Sequence, residues 1–213
     1  MILYSYFRSS ATYRVRVALY LKQIPFTYKP VHLLKNGGEH NRAEFRKLNP
    51  MGQIPCLVDD GVAISQSMAI LQYLDQKNPQ PTLFPANAKT FAQVIQVCEI
   101  VNSGIHPLQN LRVLQYLDQR FSVGENGKKE WAAHWIKNGF EGLEKTLELY
   151  AGKFSVGDQL SAADLYVVPQ VLNAHRYQVD LTPFPIIQRI EKTCLEIEAF
   201  QKAAPSSQPD FEK

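Results

Sequence analysis

The sequence predicts a small α/β domain followed by an all-helical domain. Three observations predict it. Strand-like and helix-like segments alternate over the first third of the chain. Three prolines then fall within residues 79–85, where no regular helix survives. Beyond them every patterned segment has helical spacing and none alternates with period two. We therefore expect an α/β domain over residues 1–80, a linker over 81–87 and a helical domain over 88–213.

Each element has its own signal. Residues 2–4 are a short apolar run that reads as a first strand. Residues 13–22 follow as a helix, with Tyr13, Val17 and Leu21 at i, i+4 spacing. Residues 26–31 carry Phe26, Tyr28 and Val31 and predict a second strand, parallel to the first by the right-handed crossover rule. Residues 39–48 predict a short helix. Residues 54–58 and 62–64 predict two strands around the turn Asp59-Asp60-Gly61, a hairpin signal. Residues 68–75 predict a helix with Ile70, Leu71 and Leu74 on one side. The order is β-α-β-α-β-β-α.

In the second domain, helices are expected over residues 88–121, 128–150, 163–177 and 185–198. Gly124-Glu125-Asn126-Gly127 is expected to separate the first two, and Pro107 and Pro169 to kink the helices that contain them. Ser161-Ala162-Ala163-Asp164 reads as a capping box, with Leu160 and Leu165 placed as a hydrophobic staple. Trp131 and Trp135 read as packing. The polar tail over 205–213 is expected to fray.

Composition bounds the function. The chain has 213 residues, with 23 Lys and Arg against 20 Asp and Glu. A formal charge of +3 is too small to argue for nucleic acid. Cys56, Cys98 and Cys194 form no CxxC pair, which fits a reducing cytoplasm and gives no zinc signature. The five histidines show no i, i+4 pair, so no metal is expected. No signal peptide or membrane span is expected either.

Chemistry concentrates at the start of the first helix. Ser9 and Ser10 sit where an N-cap belongs. A helix N-terminus offers unpaired N–H groups and partial positive charge, which suits an anion. From spacing alone an ordinary cap reads the same way.

The segment from Ser9 to Leu19, Ser9-Ser10-Ala11-Thr12-Tyr13-Arg14-Val15-Arg16-Val17-Ala18-Leu19, resembles the zeta-class signature of the glutathione S-transferase superfamily. Asn49-Pro50-Met51-Gly52-Gln53-Ile54-Pro55 and Ser65-Gln66-Ser67-Met68-Ala69-Ile70 resemble the superfamily as a whole, and the segment from Ile105 to Leu114 that contains His106-Pro107-Leu108-Gln109-Asn110 is similar to the zeta class. The run from Val31 to His40 is also similar to that class. The resemblance spans nearly the whole chain. It implies a thioredoxin-like N-terminal domain, an all-α C-terminal domain and a homodimer. It further implies glutathione as cofactor and the isomerisation of maleylacetoacetate or maleylpyruvate in aromatic catabolism. In such isomerases a thiolate adds to the cis double bond, the bond rotates, and expulsion of the thiolate leaves the fumaryl isomer. A transferase or dehalogenase of small halo-acids, or a non-catalytic binding protein, are the alternatives. One position departs from the pattern: Ala11 stands where the class has cysteine.

The resemblance also implies roles. Ser9, then Ser10, is the hydroxyl that stabilises the glutathione thiolate, with Arg8 beside it. A free thiol has a pKa of about 8.5, and lowering it by ~2 units needs about 2.7 kcal/mol. A helix end supplies ~0.3–2 kcal/mol and a hydrogen bond to a charged group ~1.5–3 kcal/mol, so no general base is required. Pro55 is expected in cis, presenting the Ile54 backbone to the cysteinyl part of glutathione. Gln66 and Ser67 are expected to hold the γ-glutamyl carboxylate. His40 and Gln53, with His106 and Asn110 from the second domain, are further glutathione candidates. Arg8, Arg112 and Arg176 are expected to pair with the two carboxylates of the substrate. Arg14 and Arg16 read as structural, and Cys56 as an inert core thiol.

Overall fold

A computed structural model of the protein describes residues 1–212. The chain divides into two compact units. One comprises Met1–Leu83 together with the chain from Leu195 onward, and the other Phe84–Cys194.

The first unit is built on β1 (Ile2–Ser5), α1 (Ser10–Leu21), β2 (Thr27–Pro30), α2 (Ala43–Leu48), β3 (Cys56–Asp59), β4 (Val62–Ser65) and α3 (Ser67–Lys77). The four strands form one sheet in the order β2-β1-β3-β4. β1 and β2 are parallel, as the crossover rule requires, and β3 and β4 run antiparallel to their neighbours. Asp60 (φ 48°) and Gly61 (φ 80°) close the β3–β4 hairpin with two positive φ values, the signature of a type I′ turn. Leu3 and Leu57 of the sheet are fully buried, as are Val15 and Leu19 of α1 and Ile70, Leu71 and Leu74 of α3. The helix expected over 39–48 is broken. A 3-10 turn at Glu39–Asn41 gives way to extended backbone at Arg42 (ψ 147°) before α2 begins.

The second unit holds α4 (Ala88–Glu99), α5 (Leu111–Phe121), α6 (Gly124–Tyr150), α7 (Ala162–Arg176) and α8 (Pro185–Leu195). The single helix expected over 88–121 is three pieces. After α4 the chain turns π-helical at Ile100–Ile105, and Asn110 caps α5 afresh by accepting from the Arg112 N–H at 3.4 Å. Two causes meet there. Pro107 has no N–H to give, and Gly139 of α6 lets the backbones approach so closely that a Cβ on it would lie 2.3 Å from Ile105 Cγ1. Gly124 opens α6 and does not separate helices. The break falls at Ser122, which takes a left-handed conformation. α7 continues through Pro169.

Buried carboxylates fix two helix starts. Asp164 accepts from the Ser161 and Ser155 N–H groups, completing the expected capping box. Glu144 accepts from the Ile186 and Ile187 N–H groups at 2.7 and 3.0 Å and caps α8. The Trp131 ring meets Trp135 edge-on, and its indole N–H donates to the Leu108 carbonyl.

The C-terminal segment departs from expectation. α9 (Glu198–Ala203) packs on α1: the Tyr13 hydroxyl donates to the Phe200 carbonyl, and Arg16 Nε to the Ala203 carbonyl. The chain beyond it is tied down too. Gln208 is buried and donates to the Lys202 and Ala204 carbonyls. Asp210 accepts from the Phe7 N–H and the Tyr28 hydroxyl. The segment expected in the helical domain thus belongs to the first unit, because its polar groups find backbone partners that composition does not register.

Candidate functional site

The sheet register gathers the first unit's candidates at one edge. Tyr4 near the end of β1 pairs with Cys56 at the start of β3, which pairs with Ser65 at the end of β4. The loops carrying Ser9, Pro55 and Gln66 therefore leave the sheet at the same end. α1 and α3 both begin there.

Ser9 is the N-cap of α1. Its Oγ accepts from the Thr12 N–H at 3.1 Å and from the Thr12 hydroxyl at 2.9 Å. A serine hydroxyl has two acceptor lone pairs and one donor hydrogen. Both lone pairs are taken, so the hydroxyl presents its hydrogen. That polarity suits an anion. Ser10 is the first residue of α1 and is buried, with its exposure at 4%.

The Ile54–Pro55 peptide is cis. Asn49 Nδ2 donates to the Gln53 carbonyl at 2.6 Å and braces the loop ahead of it. Gln66, the N-cap of α3, has φ 71° and ψ 120°. Such a conformation is costly for a residue with a side chain, and strain of this kind clusters at ligand sites. Ser67 follows and is buried. His40 lies on the 3-10 turn before α2. Burial, and secondly the Arg46 charge, hold its pKa below the usual value. Its Nδ1 is buried and has no hydrogen-bond partner among the described residues.

The second unit brings His106 and Asn110 together. Asn110 Nδ2 and His106 Nε2 are 3.5 Å apart where the π-helical segment meets α5. Arg112 is exposed in the first turn of α5, and Arg176 is exposed at the end of α7 over the Tyr177 ring. Arg8, Arg112 and Arg176 carry no salt bridge among the described residues. The described residues contain no cluster of three or more His, Cys, Asp or Glu placed to hold a metal ion.

Comparison with known proteins converges on one group. The model of the glutathione S-transferase N-terminal domain matches residues 8–77. A probable maleylacetoacetate isomerase of Drosophila melanogaster is 50% identical over 98% of this chain and 89% of its own. The chain belongs to the zeta-class glutathione S-transferase family. A bacterial maleylpyruvate isomerase of the zeta class, solved in its holo form, superposes with a TM-score of 0.96 at 41% identity, covering all of both chains. A maleylacetoacetate isomerase from Anaeromyxobacter dehalogenans, solved with glutathione in its active site, gives a TM-score of 0.88 at 40% identity over 99% of this chain and 97% of that one.

Within this zeta-class frame the structure adds a residue that the sequence reading set aside. Arg14, fully buried in α1, donates from Nη1 to Ser67 Oγ at 3.1 Å. It places a guanidinium beneath the N-terminus of α3, where an anion is expected. The signal was present: a charged residue amid Val15, Val17, Ala18 and Leu19 is rarely buried without a charged or polar task. The residues fit glutathione. A donating serine stands at one helix start, a cation backs the next, and a buried histidine nitrogen waits for a partner.

Proposed function

We propose that this protein is a glutathione-dependent cis–trans isomerase acting on maleylacetoacetate or maleylpyruvate. The single observation that carries the reading is Ser9, whose lone pairs are both occupied, standing at a helix N-terminus in a zeta-class chain. Bound glutathione supplies the thiolate that adds reversibly to the activated double bond and is recovered when the isomer leaves.

The chain's own residues do the rest. Ser9 donates its hydroxyl hydrogen, and the N–H groups of α1 add partial positive charge. Together they favour the ionised thiol without a base. Gln66 and Ser67, backed by Arg14, hold the γ-glutamyl carboxylate. His40 is assigned to the glycyl carboxylate, and the Ile54 backbone pairs with the cysteinyl unit as an added strand would. Arg8, Arg112 and Arg176, free of internal salt bridges among the described residues, take the substrate carboxylates. By the family resemblance His106 and Asn110 are further glutathione candidates. A homodimer in the cytoplasm acting in aromatic catabolism is the setting that family and buried thiols support.

The test is isomerisation of maleylacetone, followed by loss of the cis-enone absorbance. Wild type should turn over only with glutathione, and Ser9→Ala should lose most of that rate. A rate independent of glutathione, or equal in Ser9→Ala, contradicts the reading. Irreversible consumption of glutathione with a halo-acid and no isomerisation would favour a transferase instead.

A further inference from the structure

The turn that carries Ser9 is held from two sides. Ser9 N–H donates to the Tyr6 carbonyl at 3.0 Å, which closes the turn. Arg16, fully buried in α1, donates to the Tyr6 and Phe7 carbonyls at 3.3 and 3.2 Å and to Ser5 Oγ at 3.2 Å. The C-terminal segment holds the same turn as well. The Phe7 N–H donates to Asp210 Oδ2 at 3.1 Å, and the Tyr28 hydroxyl donates to Asp210 Oδ1 at 2.6 Å. Phe211 sets its ring edge-on to Phe7, with centroids 5.6 Å apart. Glu212 pairs with Lys35 and lies 3.7 Å from His32 Nε2.

We infer that Asp210 is a positioning residue for glutathione activation: through the Phe7 N–H it fixes the turn that aims the Ser9 hydroxyl. The inference rests on the reading that Ser9 contacts the thiolate. Phe7 is only 4% exposed. Its bond to Asp210 is part-buried, so without Asp210 the N–H loses its partner and the turn loosens as that group turns to water. Ser9 lies two residues on and moves with it. The Tyr28 bond in turn fixes Asp210, joining β2 to the same turn. None of this is visible near the serines in sequence, since Asp210 is 201 residues from Ser9.

The experiment compares Asp210→Ala, Asp210→Asn, Ser9→Ala and the Ser9→Ala/Asp210→Ala double variant in the full chain. Three quantities are read: the pKa of bound glutathione from its thiolate absorbance, kcat against KM, and amide exchange at Phe7 in the glutathione-free protein. Asp210→Ala should raise the thiol pKa and lower kcat by about tenfold or more, as a misaimed group does. It should leave the KM for glutathione within about twofold and speed exchange at Phe7. Asp210→Asn should recover most of the loss. Its amide oxygen accepts from Phe7 while its NH₂ donates to the Tyr28 oxygen. The double variant should match Ser9→Ala in thiol pKa, because the two residues act through one hydroxyl.

An unchanged thiol pKa in Asp210→Ala, with Ser9→Ala strongly shifted, overturns the inference and leaves the Ser9 reading intact. An unshifted Ser9→Ala overturns both. Should Asp210→Ala not fold, Tyr28→Phe loosens the same carboxylate. It should raise the thiol pKa by a smaller amount, and no change in the folded variant overturns the inference.

Discussion

In the proposed function Ser9 does two jobs with one oxygen. Its lone pairs accept from Thr12 at the start of α1, and in that proposal its hydrogen goes to the thiolate. The two roles separate by substitution. Ser9→Ala removes both and should cost about 1 kcal/mol of stability, the usual worth of a cap, along with most of the isomerase rate. Ser9→Asp keeps a good cap but sets a carboxylate against the thiolate. Its urea midpoint should stay near wild type while its rate falls at least as far. A Ser9→Asp variant that is stable and active would show that the hydroxyl's role is capping alone. Arg14 makes a second residue-scale prediction. Arg14→Met withdraws the cation behind Ser67, so the KM for glutathione should rise by about tenfold, a charged hydrogen bond being worth ~1.5–3 kcal/mol. kcat at saturation should change less, and initial-rate kinetics separate the two.

Elements in the first unit are locked together by a carboxylate. Asp59 at the end of β3 accepts from Tyr73 at 2.6 Å and pairs with Lys77, both on α3. The Lys77 and Tyr73 hydrogen bonds hold its carboxyl below the usual carboxylate range. The folded protein therefore binds fewer protons here than the unfolded chain. The contribution is complete above the ordinary carboxylate pKa and disappears as the pH falls through Asp59's own lower value. Lys77→Met should raise the midpoint of acid unfolding followed by circular dichroism, and an unmoved midpoint would mean that this tie contributes nothing.

Most elements were legible because their signals are local. A short apolar run marked β1, spaced apolar residues β2, Asp60-Gly61 the β3–β4 hairpin, and Ser161 with Asp164 the start of α7. The failures share a cause in distance. The break after Glu99 depends on Gly139, some forty positions on, admitting Ile105. The anchoring of the tail depends on Phe7 and Tyr28. Arg14 and Arg16 read as structural because spacing cannot show that one guanidinium reaches Ser67 and the other Phe7. Of the candidate site, the residues that carry family motifs are named by the resemblance; the distant groups that hydrogen-bond to them, such as Arg14 to Ser67, are not.

At the scale of the whole molecule the thiol chemistry belongs to the cofactor. Cys56, Cys98 and Cys194 are all buried and form no disulfide among the described residues. Burial pushes the Cys56 and Cys194 thiols up, away from the reactive thiolate. Ala11 occupies the position where the class has its cysteine. Native protein should therefore expose no thiol to a chromogenic disulfide reagent and release three only on unfolding. Alkylation under native conditions should leave the rate unchanged, and a loss would implicate one of the three. The central claim is that glutathione enters and leaves each cycle unaltered. The direct measurement is proton NMR of maleylacetoacetate or maleylpyruvate incubated with enzyme and a tenth as much glutathione. Conversion of all the substrate to the trans isomer, with the glutathione signals intact at the end, is the predicted result. Conversion that stops when the glutathione is used up, leaving a stable conjugate, would contradict it.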